Sequence, residues 1–283
     1  MNTLNTYSDV RPVSRITESM GYEMAAMHLQ DVYEIYMALS AHVRFFVNDR
    51  VYSLEQGDVM LFSNNDLHKV SVPPDQLYRR CVITFPHQVF QSQIGDGARL
   101  LSCFDNSSCR RLQLSAGEQA YFLELAERIR QESENPAFSQ AGQWLYLGEM
   151  LLLLCRISRK SQPVPFADDR GSLACSAGVI RYIDEHYMEN ITLEDLSARC
   201  FLNKSYLCRL FKRETGFHIH DYLIYRRISR AMELLRAGES VSHTARCTGF
   251  SSDTFFIRVF RQHLDMTPYQ YALKHRQAKQ PDA

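Results

Sequence analysis

The stretch "NKSYLCRLFKRETG", Asn203 to Gly216, sets Tyr206, Leu207, Leu210 and Phe211 at helical spacing and places Lys204, Arg209, Lys212 and Arg213 among them. So much cation on so short a helix calls for a polyanionic partner, because too little acid lies near it in sequence to neutralise it. Lysine and arginine attract phosphate. Arginine also holds guanine O6 and N7 bidentately, for about 1–3 kcal/mol of base discrimination.

The elements that would position these cations recur. Leu193, Leu196 and Ser197 align with Val241, Thr244 and Ala245 at an offset of 48, and Asn203, Leu207, Arg209, Phe211 and Lys212 align with Ser252, Phe256, Arg258, Phe260 and Arg261 at 49. The one-residue slip falls in a turn. Each unit reads as a short helix, a tight turn and a second helix opened by a capping residue, Asn203 or Ser252. This is the helix-turn-helix plan, in which the second helix offers its N-terminal half to the major groove. Between the units, "HIHDYLIYRRISRAMELLRAG" has Ile224, Ile228, Ala231 and Leu235 on one face and stops at Gly238. At about 1.5 Å per residue, residues 219–236 span about 27 Å. Adding helix thickness brings the recognition helices near the roughly 34 Å of one DNA turn. Double-stranded DNA is the expected partner.

At 283 residues, two or three domains are expected. The 32 basic and 32 acidic residues cancel, but residues 1–170 hold 16 and 20 of them and residues 171–283 hold 16 and 12. The first part is therefore acidic by 4 and the second basic by 4. The segment "KSQPVPFADDRGS" reads as a linker, giving a first domain at 1–159, a linker at 160–174 and a DNA-binding domain at 175–283. Eight cysteines, at 81, 103, 109, 155, 175, 200, 208 and 247, form no C-x-x-C pair and no zinc-like spacing, so reduced thiols are expected. The amino terminus has no signal core, and the longest apolar run, "MLLLLC", is too short to span a bilayer. A cytoplasmic protein without a membrane partner is expected.

From about Met24 to Phe85, runs rich in β-branched and aromatic residues alternate with turn signals, which favours a small antiparallel barrel or sandwich. Ser115 and Glu118 form a capping box for a following helix, and Thr192 and Asp195 cap the first helix of the first repeat unit. The helix at 140–160 is apolar nearly all round in its second half. One side packs on the barrel, and the other, through Trp144, Leu147, Leu151 and Leu154, is the expected homodimer surface, with wholly intradomain burial as the alternative.

Residues 175–275 resemble the AraC/XylS family of bacterial transcription regulators, through "ITLEDLSARCFLNKSYLCRLFKRETGFHIHDYLIYRRISRAMELL" and the closing "GFSSDTFFIRVFRQHLDMTPYQY". The resemblance implies base contacts from Ser205, Cys208, Arg209, Asp253, Thr254 and Arg258, and phosphate contacts from Lys204, Lys212, Ser252 and Arg261. Departures are Thr244 at a usually aliphatic position, Asp265 for a common glycine and Tyr271 where arginine often stands. Asp253 is an acid facing phosphate, so the second unit is expected to be the weaker reader.

The first domain resembles the cupin-like effector domain of the same family, through "HLQDVYE" and "GDVMLFSNNDLH". Of the metal-binding set only His28, Glu34 and His68 remain, so no metal and no cofactor is expected. His28, Glu34, Tyr36, His68 and Arg80 are the candidate effector-pocket residues; of the adjacent Arg79 and Arg80 one must point inward, where it needs a counter-charge such as Glu34. The expected fold is therefore α+β in two domains: a cupin-like β-barrel with C-terminal helices, then an all-α domain of two helix-turn-helix units. The expected function is non-enzymatic: transcription regulation, more often activation, in response to a small molecule, with RNA polymerase contact implied by the resemblance alone. The rivals are a cupin metalloenzyme and a regulator triggered by thiol oxidation at Cys103/Cys109 or Cys200/Cys208.

Overall fold

The computed structural model describes residues 11–23, 32–47, 50–63, 66, 68–86, 97–105, 111–135, 137–160 and 170–277. Among them the strands β1 (Val13–Glu23), β2 (Tyr33–Ala38), β3 (Val43–Val47), β4 (Arg50–Leu54), β5 (Asp58–Phe62), β6 (His68–Phe85) and β7 (Arg111–Gln113) form one antiparallel, nearly closed barrel. β6 is its spine. It pairs β3 through His68–Ser71 and β2 through Arg80–Phe85, while β1 runs along its other edge. Pro73 and Pro74 lack the N–H that a ladder needs, and they fall between those two pairings. Opposite them β1 breaks register at Gly21, which has φ +57; a Cβ there would stand 2.5 Å from Pro74 Cα. β1 begins before the region read from sequence as strand. Its outward Ile16 and Met20 are exposed, so it lacks the apolar alternation that betrays a strand.

The strands divide two cores. Tyr36, Phe45, Phe62, Val70 and Tyr78 fill the barrel, and Ile35, Leu61, Cys81 and Ile83 on the opposite faces pack against helices. Those helices are α1 (Ser102–Asp105), α2 (Ala116–Glu132) and α3 (Ser139–Lys160). The Ser115–Glu118 capping box forms as expected, with Ser115 N–H donating to Glu118 Oε2 at 2.8 Å. The expected dimer face of α3 needs correction. Leu147, Leu151 and Leu154 are wholly buried against α2 and the barrel of their own chain, because a helix lying in the groove between two packed elements turns its a/d-like residues inward. What α3 leaves outside is Leu145 (70% exposed) and Leu152 (40% exposed), with Trp144 half-buried beside them.

The second half is all helical: α4 (Arg170–His186), α5 (Leu193–Cys200), α6 (Lys204–Thr215), α7 (Ile219–Ala237), α8 (Val241–Cys247), α9 (Asp253–Leu264) and α10 (Pro268–Gln277). Residues 170–174, read from sequence as linker, are already helical. α5–α6 and α8–α9 are the two repeat units, and their matched residues occupy matched places: Leu196 and Thr244, Leu207 and Phe256, Phe211 and Phe260 are all buried. Thr244 stands where its counterpart is aliphatic, and its hydroxyl has no hydrogen-bond partner among the described residues. Thr244→Val keeps the shape and removes the unpaired group, so it is expected to stabilise the domain by about 1 kcal/mol in urea unfolding. Tyr271 packs edge-on against Phe260 at 5.5 Å, which explains an aromatic where arginine is common. Asp265 ends α9 in the left-handed region at φ +55, a conformation that aspartate tolerates better than most residues.

Candidate nucleic-acid interface and effector chamber

Each recognition helix starts as its sequence requires. Asn203 Oδ1 accepts from Tyr206 N–H at 2.8 Å to open α6, and Ser252 Oγ accepts from Phe255 N–H at 3.2 Å to open α9. Beyond the caps, Lys204, Ser205, Arg209 and Lys212 are exposed on α6, with Cys208 half-buried between them. On α9, Thr254, Arg258 and Arg261 are exposed and Asp253 is half-buried. Leu207, Leu210 and Phe211 in one helix, and Phe256, Val259 and Phe260 in the other, turn inward, so the cations share the outer face. Arg258 lies 5.3 Å over the Phe255 ring, whose packing limits its rotamers.

The same two positions of each unit are bridged by different chemistry. In the first, Lys204 pairs with Glu194 of α5; in the second, Asp253 accepts from the Ser242 hydroxyl of α8. Both bridges fix the start of the recognition helix to the helix behind it. The second bridge involves Asp253, which the resemblance assigned to base contact. One exposed residue escaped the sequence reading. Ile257 is the repeat counterpart of Cys208, stands 38% exposed between Thr254 and Arg258, and the offset of 49 would have found it.

Inside the barrel, alternation on β2 and β6 turns Glu34, Tyr36, His68, Tyr78 and Arg80 inward and Arg79 outward to Glu18, at 3.8 Å. Arg80 lies between the rings of Tyr22 and Tyr78, 4.6 and 4.3 Å from their centroids. His68 stacks on Phe62 at 4.0 Å, with Nδ1 3.3 Å from the Asp66 carbonyl. A carbonyl only accepts, so Nδ1 carries the proton and Nε2 faces Glu34 Oε2 at 3.9 Å. Tyr36 Oη is buried beside the Tyr78 hydroxyl, and burial pushes both phenols up, Tyr78 to about 12. The expected pocket residues therefore converge, apart from His28, which lies outside the described residues. Among the described residues no three His, Cys, Asp or Glu side chains are gathered as a metal site.

Burial raises Glu34 from the ordinary 4.5 to about 7, against the pull of the Arg80 charge. The folded chain thus keeps a proton that the unfolded chain releases. That stabilisation is full below about 4.5 and is lost as the pH rises through about 7, a difference of about 3 kcal/mol. Glu34→Gln is expected to flatten this slope in denaturant unfolding followed between about pH 5 and pH 8. An unchanged slope would mean that another group carries it.

His68 faces the chamber, and the next residue faces the DNA-binding half. Lys69 Nζ donates to the Gly216 carbonyl at 3.1 Å, where α6 ends, and lies 5.3 Å over Phe217; Phe46 of β3 meets the same ring edge-on at 5.6 Å. Gly216 has φ +79, and a Cβ there would stand 2.7 Å from Lys69 Nζ. The C-terminus of the first recognition helix is thereby held by the barrel wall.

Comparison with known proteins matches residues 14–146 to the AraC-like ligand binding domain and residues 196–274 to a family described as Helix-turn-helix domain. YbfI, an uncharacterized HTH-type transcriptional regulator of Bacillus subtilis, is 27% identical over 230 residues, covering 80% of this chain and 79% of that protein. The HTH-type transcriptional activator RhaR of Mannheimia succiniciproducens is 23% identical over 256 residues, covering 87% and 86%. The regulatory protein PocR of Salmonella typhimurium is 36% identical over 93 residues, and this chain spans only 31% of its length. No helix among the described residues is long and apolar enough to cross a membrane.

Proposed function

We propose, from the premise that the chain belongs to the AraC family of helix-turn-helix DNA-binding transcription regulators with a ligand-binding first domain, that it binds two successive major grooves through α6 and α9 and that a small molecule in the barrel sets how firmly. The observation that carries this is the duplicated unit, with capped recognition helices presenting Arg209 and Arg258 at one register. Arg209 and Arg258 read guanine, Ser205 and Thr254 adjust the neighbouring contacts, and Cys208 and Ile257 meet thymine methyls. Lys204, Lys212, Ser252 and Arg261 contact phosphate. α7, at 19 residues, is about 28 Å long and sets the separation. Band-shift titration of the full chain at several salt concentrations tests the phosphate part: log affinity falls steeply with log salt, and Lys212→Ala reduces the slope by about 1.

The effector acts from Glu34, Tyr36, His68 and Arg80. A ligand that draws on His68 displaces its strand neighbour Lys69 and so the end of α6, which is a differential contact of the kind that shifts a two-state equilibrium. Activation follows from contact with RNA polymerase, and the setting is the cytoplasm. The protein acts as a homodimer through the exposed strip of α3, with Leu145 and Leu152 at its centre. Leu145→Asp with Leu152→Asp is expected to convert dimer to monomer in sedimentation velocity, whereas a variant that still sediments as a dimer places the interface elsewhere.

A further inference from the structure

In sequence Cys103 is nearest to Cys109, which lies outside the described residues; among the described residues Cys103 stands beside Cys155. Cys155 Sγ, on α3, donates to the Leu100 carbonyl at 3.2 Å, and Cys103 Sγ, on α1, donates to that same carbonyl at 3.6 Å. The Ser102 hydroxyl is 4.0 Å from Cys155 Sγ. The two thiols thus come from different elements to one acceptor, and they also hydrogen-bond each other.

We propose that Cys103 and Cys155 form a hydroperoxide-reactive dithiol, with Cys155 the attacking sulfur and Cys103 the resolving one. The surroundings agree. Ionisation gives up the Cys155 bond to the Leu100 carbonyl; the Cys103 thiol then donates to the Cys155 sulfur, and, against the effect of burial, this bond, those from the Cys103 N–H and the Ser102 hydroxyl, and the Arg159 charge hold Cys155 down to about 6. Cys81 is the contrast within the same core: burial pushes its thiol up to about 12, so it stays protonated. In the first step the Cys155 thiolate attacks one peroxide oxygen, the O–O bond breaks, hydroxide (or an alkoxide) leaves, and Cys155 becomes a sulfenic acid. In the second the Cys103 sulfur attacks the Cys155 sulfur and the S–O bond breaks. Hydroxide leaves with the Cys103 proton as water, and a disulfide remains. The peroxide is reduced by two electrons and the thiol pair is oxidised by two. The bond would lock α1 to the last turns of α3, the helix that leads towards the DNA-binding half.

The test treats the reduced full chain with stoichiometric hydrogen peroxide, blocks remaining thiols with a maleimide and maps linked peptides by mass. The expected result is a Cys103–Cys155 link, and Cys103→Ser should stop at a sulfenic acid on Cys155 that dimedone traps. A link between Cys175 and Cys200, which also hydrogen-bond each other, or no link at all, overturns the proposal. Should Cys103→Ser fail to fold, alkylation of the unaltered protein near neutral pH decides instead. Cys155 must react at least about tenfold faster than Cys81, and equal rates overturn the proposal.

Discussion

Arg209→Ala is expected to weaken binding of the full chain to its preferred duplex by about 10- to 100-fold, and to relax the preference for guanine at one position only. Arg258→Ala should cost less, about 3- to 10-fold. The ranking follows from what surrounds each arginine. α6 carries Lys212 and Arg213 beside Arg209, with Lys204 paired to Glu194 of α5, and its one acid, Glu214, has its carboxylate buried. α9 carries only Arg261 beside Arg258 and starts with Asp253, whose charge opposes phosphate even while it braces Ser242. The first recognition helix thus enters a stronger field and should contribute more binding free energy. Competition titrations against duplexes varied at single positions measure both quantities, and equal losses for the two variants would remove the ranking.

The largest effect on stability should come from Arg227, which no DNA model requires. It lies buried in the middle of α7, where Nε donates to the Tyr187 carbonyl at 2.7 Å and Nη2 to the Glu189 carbonyl at 2.8 Å, with its guanidinium 5.9 Å over the Phe250 ring. Burial holds its pKa below the usual arginine range, yet the two carbonyls keep the charge solvated. The same loop is pinned from the other side by Gly249, at φ +76, where a Cβ would stand 2.7 Å from the Met188 carbonyl. Arg227→Met keeps most of the stem and removes both charge-assisted bonds, leaving two carbonyls against an apolar side chain. The expected cost is about 3 kcal/mol, seen as a fall of about 10 °C or more in the melting of the helical half. Arg230→Met is the control: its pairing with Glu233 is half-exposed, and such pairs contribute about 0–1 kcal/mol. Similar losses for both variants would mean that helix propensity, and not the carbonyl contacts, sets the effect.

What could be read from the residues alone was whatever is local. Caps at Asn203, Ser252, Thr192 and Ser115 need only a few neighbouring residues, and the repeat offset makes each unit a check on the other. Strand alternation showed that one of Arg79 and Arg80 must enter the barrel, but which one depends on register with β1 and β2, so only the fold identifies Arg80. α3 misled for a related reason. A helix apolar on most of its surface does not declare which face is covered, and the leucines chosen for a partner were the ones its own domain buries. The thiol pairs show the same limit: sequence proximity put Cys200 with Cys208, whereas packing sets Cys200 beside Cys175; Cys109, the expected partner of Cys103, lies outside the described residues, and among those residues Cys103 stands beside Cys155. β1, with its apolar side chains partly in solvent, gave no pattern to find.

Selecting bound sites from randomised duplexes with the full chain measures the paired-groove arrangement most directly. Two short motifs about one helical turn apart, each holding a guanine next to a thymine, are the predicted outcome, with the motif read by α6 the more sharply defined. A single motif no longer than one groove would contradict that arrangement, as would enrichment that disappears at every salt concentration.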